Sequence, residues 1–335
     1  MSLNNTSEIL LQKLFDNYEV IRRDNKWEYG IINQFISLLY ATHEKSFSIN
    51  HHKEFIKYIN DNTKLFSSFR GLTQSMLASM LMTEYEDYKN VFLEIQDLYD
   101  LMILKGFKKS THTPIAAYSL YKINNSKDDI PNKIEKSLQI YDEMKHNHPF
   151  LTSSEDYTMA VLLCASEETP SHCIHLIEEL YTKLNDYGFS KGNDLQMTSH
   201  ILSFSNESID DKVKKCARIK ELFKEKGIKI YSNSYASVGF LSLLHSDLDE
   251  LVDDVTTIYE AIKSNKRFKW SYKEVLISMA IMIYSHSLLS EISNGDEILK
   301  SALCISFENI IIAQNAAIIA ASSAAAASAA SSASN

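Results

Sequence analysis

The feature that most constrains this chain is an internal repeat. Aromatic or large apolar residues recur at Trp27, Phe66, Phe107, Phe150, Phe189, Ile228 and Phe268, about forty residues apart each time. A tyrosine stands ahead of most of them, at Tyr18, Tyr58, Tyr99, Tyr141, Tyr181 and Tyr259. The copy ending at Ile228 departs, with Ile219 and Phe223 on either side of the expected place. Glycines in Lys105-Gly106-Phe107, Tyr187-Gly188-Phe189 and Lys226-Gly227-Ile228 keep the same register. Repeats of this length are helix pairs that cannot bury their apolar faces singly and stack on their neighbours.

Each copy divides into a long helix before the anchor residue and a shorter one after it. Ile174, Ile177, Leu180, Tyr181 and Leu184 trace one face of a helix, and so do Val252, Val255, Ile258, Tyr259 and Ile262. The glycine, or Asn147-His148-Pro149, ends the long helix, because glycine accepts the left-handed cap conformation. The short helices are expected over 154–165 and 194–204, for example. Capping boxes are expected at Thr83-x-x-Glu86, Thr152-x-x-Glu155, Ser208-x-x-Asp211, Ser246-x-x-Asp249 and Ser271-x-x-Glu274. No segment alternates as a strand does. With only 8 Gly and 4 Pro in 335 residues, a β-sandwich lacks its turns, and a dinucleotide or P-loop fold lacks its glycine-rich phosphate loop.

The expected fold is therefore all-α: a right-handed α-solenoid of helix pairs, nearer to HEAT than to tetratricopeptide repeats, over residues 1–305. A compact helical bundle is the alternative. From 306 to 335 the chain becomes an Ile/Ala/Ser-rich tail, uncharged from Asn309 onward. Ile310-Ile311-Ile312 and Ile318-Ile319 are its only apolar clusters. They are too weakly supported by flanking charge to read as a membrane anchor, and they fit an appendage or a segment handled by the helical domain itself.

A formal charge of −9 argues against general nucleic-acid or anionic-membrane binding. So does the shortage of arginine, found only at Arg22, Arg23, Arg70, Arg218 and Arg267. Cys164, Cys173, Cys216 and Cys304 form no CxxC pair, and no signal peptide is apparent. Reduced thiols in a bacterial-type cytoplasm are expected.

A further set of landmarks spans nearly the whole chain: Phe66-Ser67-Ser68-Phe69-Arg70-Gly71; His148-Pro149-Phe150-Leu151-Thr152 with Glu155-Asp156; Gly192-Asn193-x-Leu195-Gln196 with Ser199-His200-Ile201-Leu202; and the C-terminal Ile/Ala/Ser run. In these the chain resembles a bacterial family of uncharacterised proteins, domain of unknown function 4003 (DUF4003). The resemblance implies no assigned activity and supplies no catalytic residues.

Chemistry-bearing clusters are few. His172-Cys173-x-His175 has helical ligand spacing, and His146-x-His148 could add to it. These two clusters fall at opposite ends of parallel helices and should not converge, so no metal and no cofactor is expected. No nucleophile motif stands beside a base. The first turns of the short helices, in contrast, carry Arg70, Gln74, His112, Asp156, Asn193, Gln196, His200 and Tyr235. Stacked, they would line one face as a polar groove for a protein or peptide; as caps, they would only satisfy backbone amides. Charge is segregated too. Acidic residues such as Glu167, Glu168, Asp210 and Asp211 lead into the long helices, and basic ones such as Lys226, Lys229, Lys266, Arg267 and Lys269 follow them. This serves helix-dipole compensation, or a docking edge for an acidic partner. The expected function is a non-enzymatic binding scaffold. The alternative is an enzyme or leader-type protein acting on a peptide, such as its own Ala/Ser tail. The sequence leaves the oligomeric state open.

Overall fold

The computed structural model describes residues 4–24, 30–71, 74–123, 129–244 and 247–291. Among them there is no strand; the chain is a succession of α-helices. Seven are long or lie outermost: α1 (Asn5–Asp24), α3 (Ile49–Asp61), α5 (Tyr88–Lys105), α7 (Ile130–Asn147), α9 (Pro170–Asp186), α11 (Ile209–Glu225) and α13 (Leu248–Ser264). Between them run α2 (Gly30–Thr42), α4 (Gln74–Glu84), α6 (Thr113–Ile123), α8 (Tyr157–Leu163), α10 (Asn193–Leu202), α12 (Tyr235–Ser242) and α14 (Lys273–Glu291).

The two sets differ in burial. On α9 only the stripe of Cys173, Ile174, Ile177, Leu180, Tyr181 and Leu184 is buried, and on α13 the corresponding stripe. These are one-sided helices with a solvated back. In α8 and α12 every residue is buried, and α2 is buried without a break from Ile32 to Thr42. A helix apolar all round must be enclosed, so the second set forms an inner layer wrapped by the first. Where two inner helices touch, space is tight: a Cβ on Gly239 of α12 would stand 2.9 Å from Thr198 Cγ2 of α10.

The packing order is cyclic. Neighbouring pairs adjoin in sequence, and α1 also packs on α13 and α14, with α2 on α14. The contacts at this seam are those that join neighbours elsewhere. Phe69 after α3 meets Tyr99 of α5 at 5.0 Å between ring centroids, and His148 after α7 meets Tyr181 of α9 at 4.9 Å. Phe268 after α13 meets Tyr18 of α1 at 4.7 Å, so the successor of the last pair is the first. Arg267 and Glu19 are ion-paired at 2.5 Å, and Gln34 of α2 donates to Ser271 Oγ. An open stack would leave α1 and α13 on free edges; here they cover one another. The array is a ring.

Two anchor residues depart from the repeat. Phe107, Phe189 and Phe268 are buried and Ile228 nearly so, but Phe66 is 97% and Phe150 99% exposed. The caps differ between copies. At Gly106, Gly188 and Gly227 the backbone takes positive φ. The next residue's N–H then reaches back to Met102, Leu184 and Phe223 carbonyls, which folds the anchor inward. Asn62 and His148 cap α3 and α7, the chain runs on outside, and Phe69 and Thr152 are buried instead. After the Asn265 cap of α13, in contrast, the anchor Phe268 is buried without a glycine. Trp27 lies outside the described residues.

The caps also shift locally. Ser208 caps α11 as expected, while the box expected at Thr152 belongs to Ser153 and Asp156. Thr83 sits within α4 and returns its hydroxyl to the Ser79 and Met80 carbonyls. The residues from 292 on, including the tail and Cys304, lie outside the described residues.

Candidate functional site

Because outer and inner helices alternate in direction, every inner helix begins on one face of the ring, the N-face, and ends on the other, the C-face. Side-chain contacts bear this out on both sides. On the N-face, Gln196 of α10 donates to Thr152 Oγ1 before α8 at 3.1 Å, and Gln34 of α2 reaches Ser271 before α14. On the C-face, His43 and Lys122, at the ends of α2 and α6, both approach Glu84 at the end of α4.

All eight candidate groove residues belong to the N-face, yet their side chains do different things. Arg70 turns back to Thr63 and to the Asn60 and Thr63 carbonyls, and Gln74 to Asn60 Oδ1; both secure the end of α3. Tyr235 is buried against Phe189, and its hydroxyl accepts from the Ser190 N–H. Tyr157, its counterpart two copies earlier, treats Phe107 and Lys108 in the same way. His112 faces Glu155 at 3.9 Å, and burial lowers its pKa against the pull of that carboxylate. Asn193 is exposed at the start of α10.

The remaining three, with their neighbours, form a buried polar cluster. Asp156 caps its own turn through the Ser153 N–H, and burial pushes its carboxyl up to about 7. His148 pairs with Glu178 at 2.9 Å. Gln196 Oε1 and both ring nitrogens of His200 are buried with no hydrogen-bond partner. Burial, helped by His148, holds His200 down at about 3, so it is a neutral imidazole at physiological pH. The cluster is made of shielded groups, with no open nucleophile beside a base. The thiols of Cys164, Cys173 and Cys216 are all buried with raised pKa values, Cys216 to about 12, because burial disfavours the thiolate.

His148 touches α9 at Glu178 and Tyr181, whereas His172 stands exposed at the other end of α9 near Glu168. Among the described residues no group of three or more His, Cys, Asp or Glu is placed to hold a metal ion.

The sequence pattern did not single out what is most exposed on this face. Besides Phe66 and Phe150, Leu65 is exposed, as are Tyr231, Trp270 at 89% and Tyr272. All lie in the loops that lead from outer to inner helices. The run Lys269-Trp270-Ser271-Tyr272-Lys273 would have marked Trp270 and Tyr272; spacing does not separate Phe66 and Phe150 from a buried anchor such as Phe268.

Among the described residues no helix is long and apolar enough to cross a membrane. Residues 17–316 match the family model described as protein of unknown function (DUF4003). The chain is similar to the uncharacterised protein YeaA of Bacillus subtilis (strain 168), at 27% identity over 304 residues and 90% of each chain. No solved structure matches.

Proposed function

The chain belongs to the DUF4003 family, and from that premise we propose that it is a cytoplasmic, non-enzymatic protein that binds a protein or peptide across the N-face of its helix ring. The fold reading that goes with this is a right-handed array of HEAT-like helix pairs, curved until its ends meet. One observation carries the proposal. While the anchors Phe107, Phe189, Ile228 and Phe268 are buried, the anchors Phe66 and Phe150, and Trp270 beside Phe268, stand almost wholly in solvent on the same face. Large rings held outward by ordered loops supply hot-spot contacts at little entropic cost. Gln74, His112 and Asn193, lying partly open between them, would supply polar contacts, while Arg70, Asp156, Gln196, His200 and Tyr235 hold the floor rigid.

The test is site-specific photo-crosslinking in the native cell. A benzoylphenylalanine at 66 or 150 is expected to give one discrete crosslinked partner, and at Lys57 on the outer surface none. The purified partner should then lose binding to the F66S/F150S variant. Equal labelling from all three positions would refute the N-face as the docking surface.

A further inference from the structure

The N-face is not uniform, and one sector combines a cavity with lysines and exposed aromatic rings. Between the ends of α11 and α13 and the start of α14 lies a cavity of about 260 Å³, lined among others by Lys229, Tyr231, Tyr259, Lys273 and Glu274. Two further lysines of its wall are paired internally, Lys226 with Asp253 and Lys263 with Glu260. Lys229 and Lys273 have no carboxylate partner among the described residues, and neither do Lys266 and Lys269 on the adjoining loop. Aromatic rings are interleaved with them: Lys229 stands 4.7 Å over Tyr231, and Lys269 5.4 Å over Trp270.

We propose that this sector docks an acidic segment of a partner protein, its carboxylates on Lys229 and Lys273 and an apolar side chain against Tyr231 and Trp270. The idea rests on the N-face reading above and adds the partner's chemistry to it. Charge complementarity selects the partner: on a chain of net charge −9, Lys229 and Lys273 at the cavity with Lys266 and Lys269 beside it gather positive charge around exposed rings, which attracts an anionic group. Carboxylates suit it better than a phosphate polymer. The sector's only guanidinium, Arg267, is already held by Glu19, so the planar fork that grips phosphate is not free. Glu274 in the cavity wall also opposes a dense polyanion.

The experiment measures binding of the full-length protein to a fluorescein-labelled peptide of about twelve residues, alternating Glu or Asp with Leu. Competitors are the same peptide with Gln and Asn for its acids, a single-stranded oligonucleotide, and phosphatidylglycerol vesicles. Only the acidic peptide is expected to bind, more weakly as salt rises. The K229E/K273E variant should weaken it about tenfold or more, while K57E on the outer surface leaves it unchanged. A peptide with Lys for its acids should bind the K229E/K273E variant and not the parent protein. Tighter binding of the oligonucleotide or vesicles, or peptide binding indifferent to K229E/K273E, would overturn the proposal. So would no binding of the acidic peptide at all. If the crosslinks from positions 66 and 150 persist in that case, the acidic-partner inference alone falls; if they too are absent, the wider reading falls with it.

Discussion

The two faces of the ring use the same kinds of residue for opposite ends. On the C-face, charges are spent inward. Lys45, Lys133, Lys136 and Lys212 donate to the Met82, Ile123, Ser166 and Ser205 carbonyls, at or just past the ends of inner helices, which satisfies acceptors that a helix terminus leaves bare. Glu84 is enclosed there. Burial alone would raise its pKa, but His43, Lys122 and Tyr118 outweigh it and hold the carboxylate at about 2. On the N-face some lysines are held in the same way, Lys145 by the Pro149 and Thr152 carbonyls and Lys220 by that of Gly188. But Phe66, Phe150 and Trp270 stand in solvent there, and Lys229 and Lys273 have no carboxylate partner among the described residues. One face is closed upon itself, and the other is built to be met.

That contrast can be broken at several places. The largest effect is expected at the seam. Phe268 is fully buried against Tyr18 and Phe15, and Phe268→Ala should cost about 3–5 kcal/mol in denaturant unfolding, as cavities in a packed core do. On the C-face, Glu84→Ala strands Lys122 and His43 and should cost about 3 kcal/mol, without altering any N-face binding. Gly239→Ala should follow. The helix gains up to about 1 kcal/mol from alanine, but crowding Thr198 costs about 1–3, so a net loss is expected.

Smaller effects come from the buried titrating pair. Folding raises Asp156 from its ordinary 3.8 to about 7. Between those values the folded chain keeps a proton that the unfolded chain has released, so this contribution to stability declines as pH rises through the window. His200 is opposite: lowered from 6.5 to about 3, it cannot take the proton that the unfolded chain gains, and stability is lost as pH falls through that range. Melting curves from about pH 5 to 8 should show Asp156→Asn removing the first slope and His200→Met the second. Because its ring nitrogens lack partners, His200→Met should cost little at neutral pH. Smallest of all, F66S and F150S should leave the melting temperature unchanged, since neither ring is buried.

Much of this was legible in the sequence. The helix pairs showed because each outer helix repeats one apolar stripe, and Ile174, Ile177, Leu180, Tyr181 and Leu184 are buried as that stripe requires. The closure was not legible. Phe268 looks like every other anchor, and nothing local says that its partner is Tyr18 at the far end of the chain. The candidate site was legible by position more than by exposure. The first turns of the inner helices do share a face, but whether a side chain there turns inward, as His200 does, or stays open, as Asn193 does, depends on the neighbouring copy. Phe66 and Phe150 misled because spacing alone places them; which residue of the loop turns inward is set by how the chain leaves the outer helix, and there Phe69 and Thr152 take the buried places.

The ring stands on its closure, and closure can be measured across the seam. Glu19 and Arg267 are ion-paired in the closed ring. In an open stack of helix pairs about 10 Å apart they would lie at opposite ends of the array. With Glu19→Cys and Arg267→Cys in one chain, a short bismaleimide is expected to join the two sites within the native monomer, and to fail when the protein is unfolded first. A native protein that gives no intramolecular product, or only products between chains, would contradict the ring.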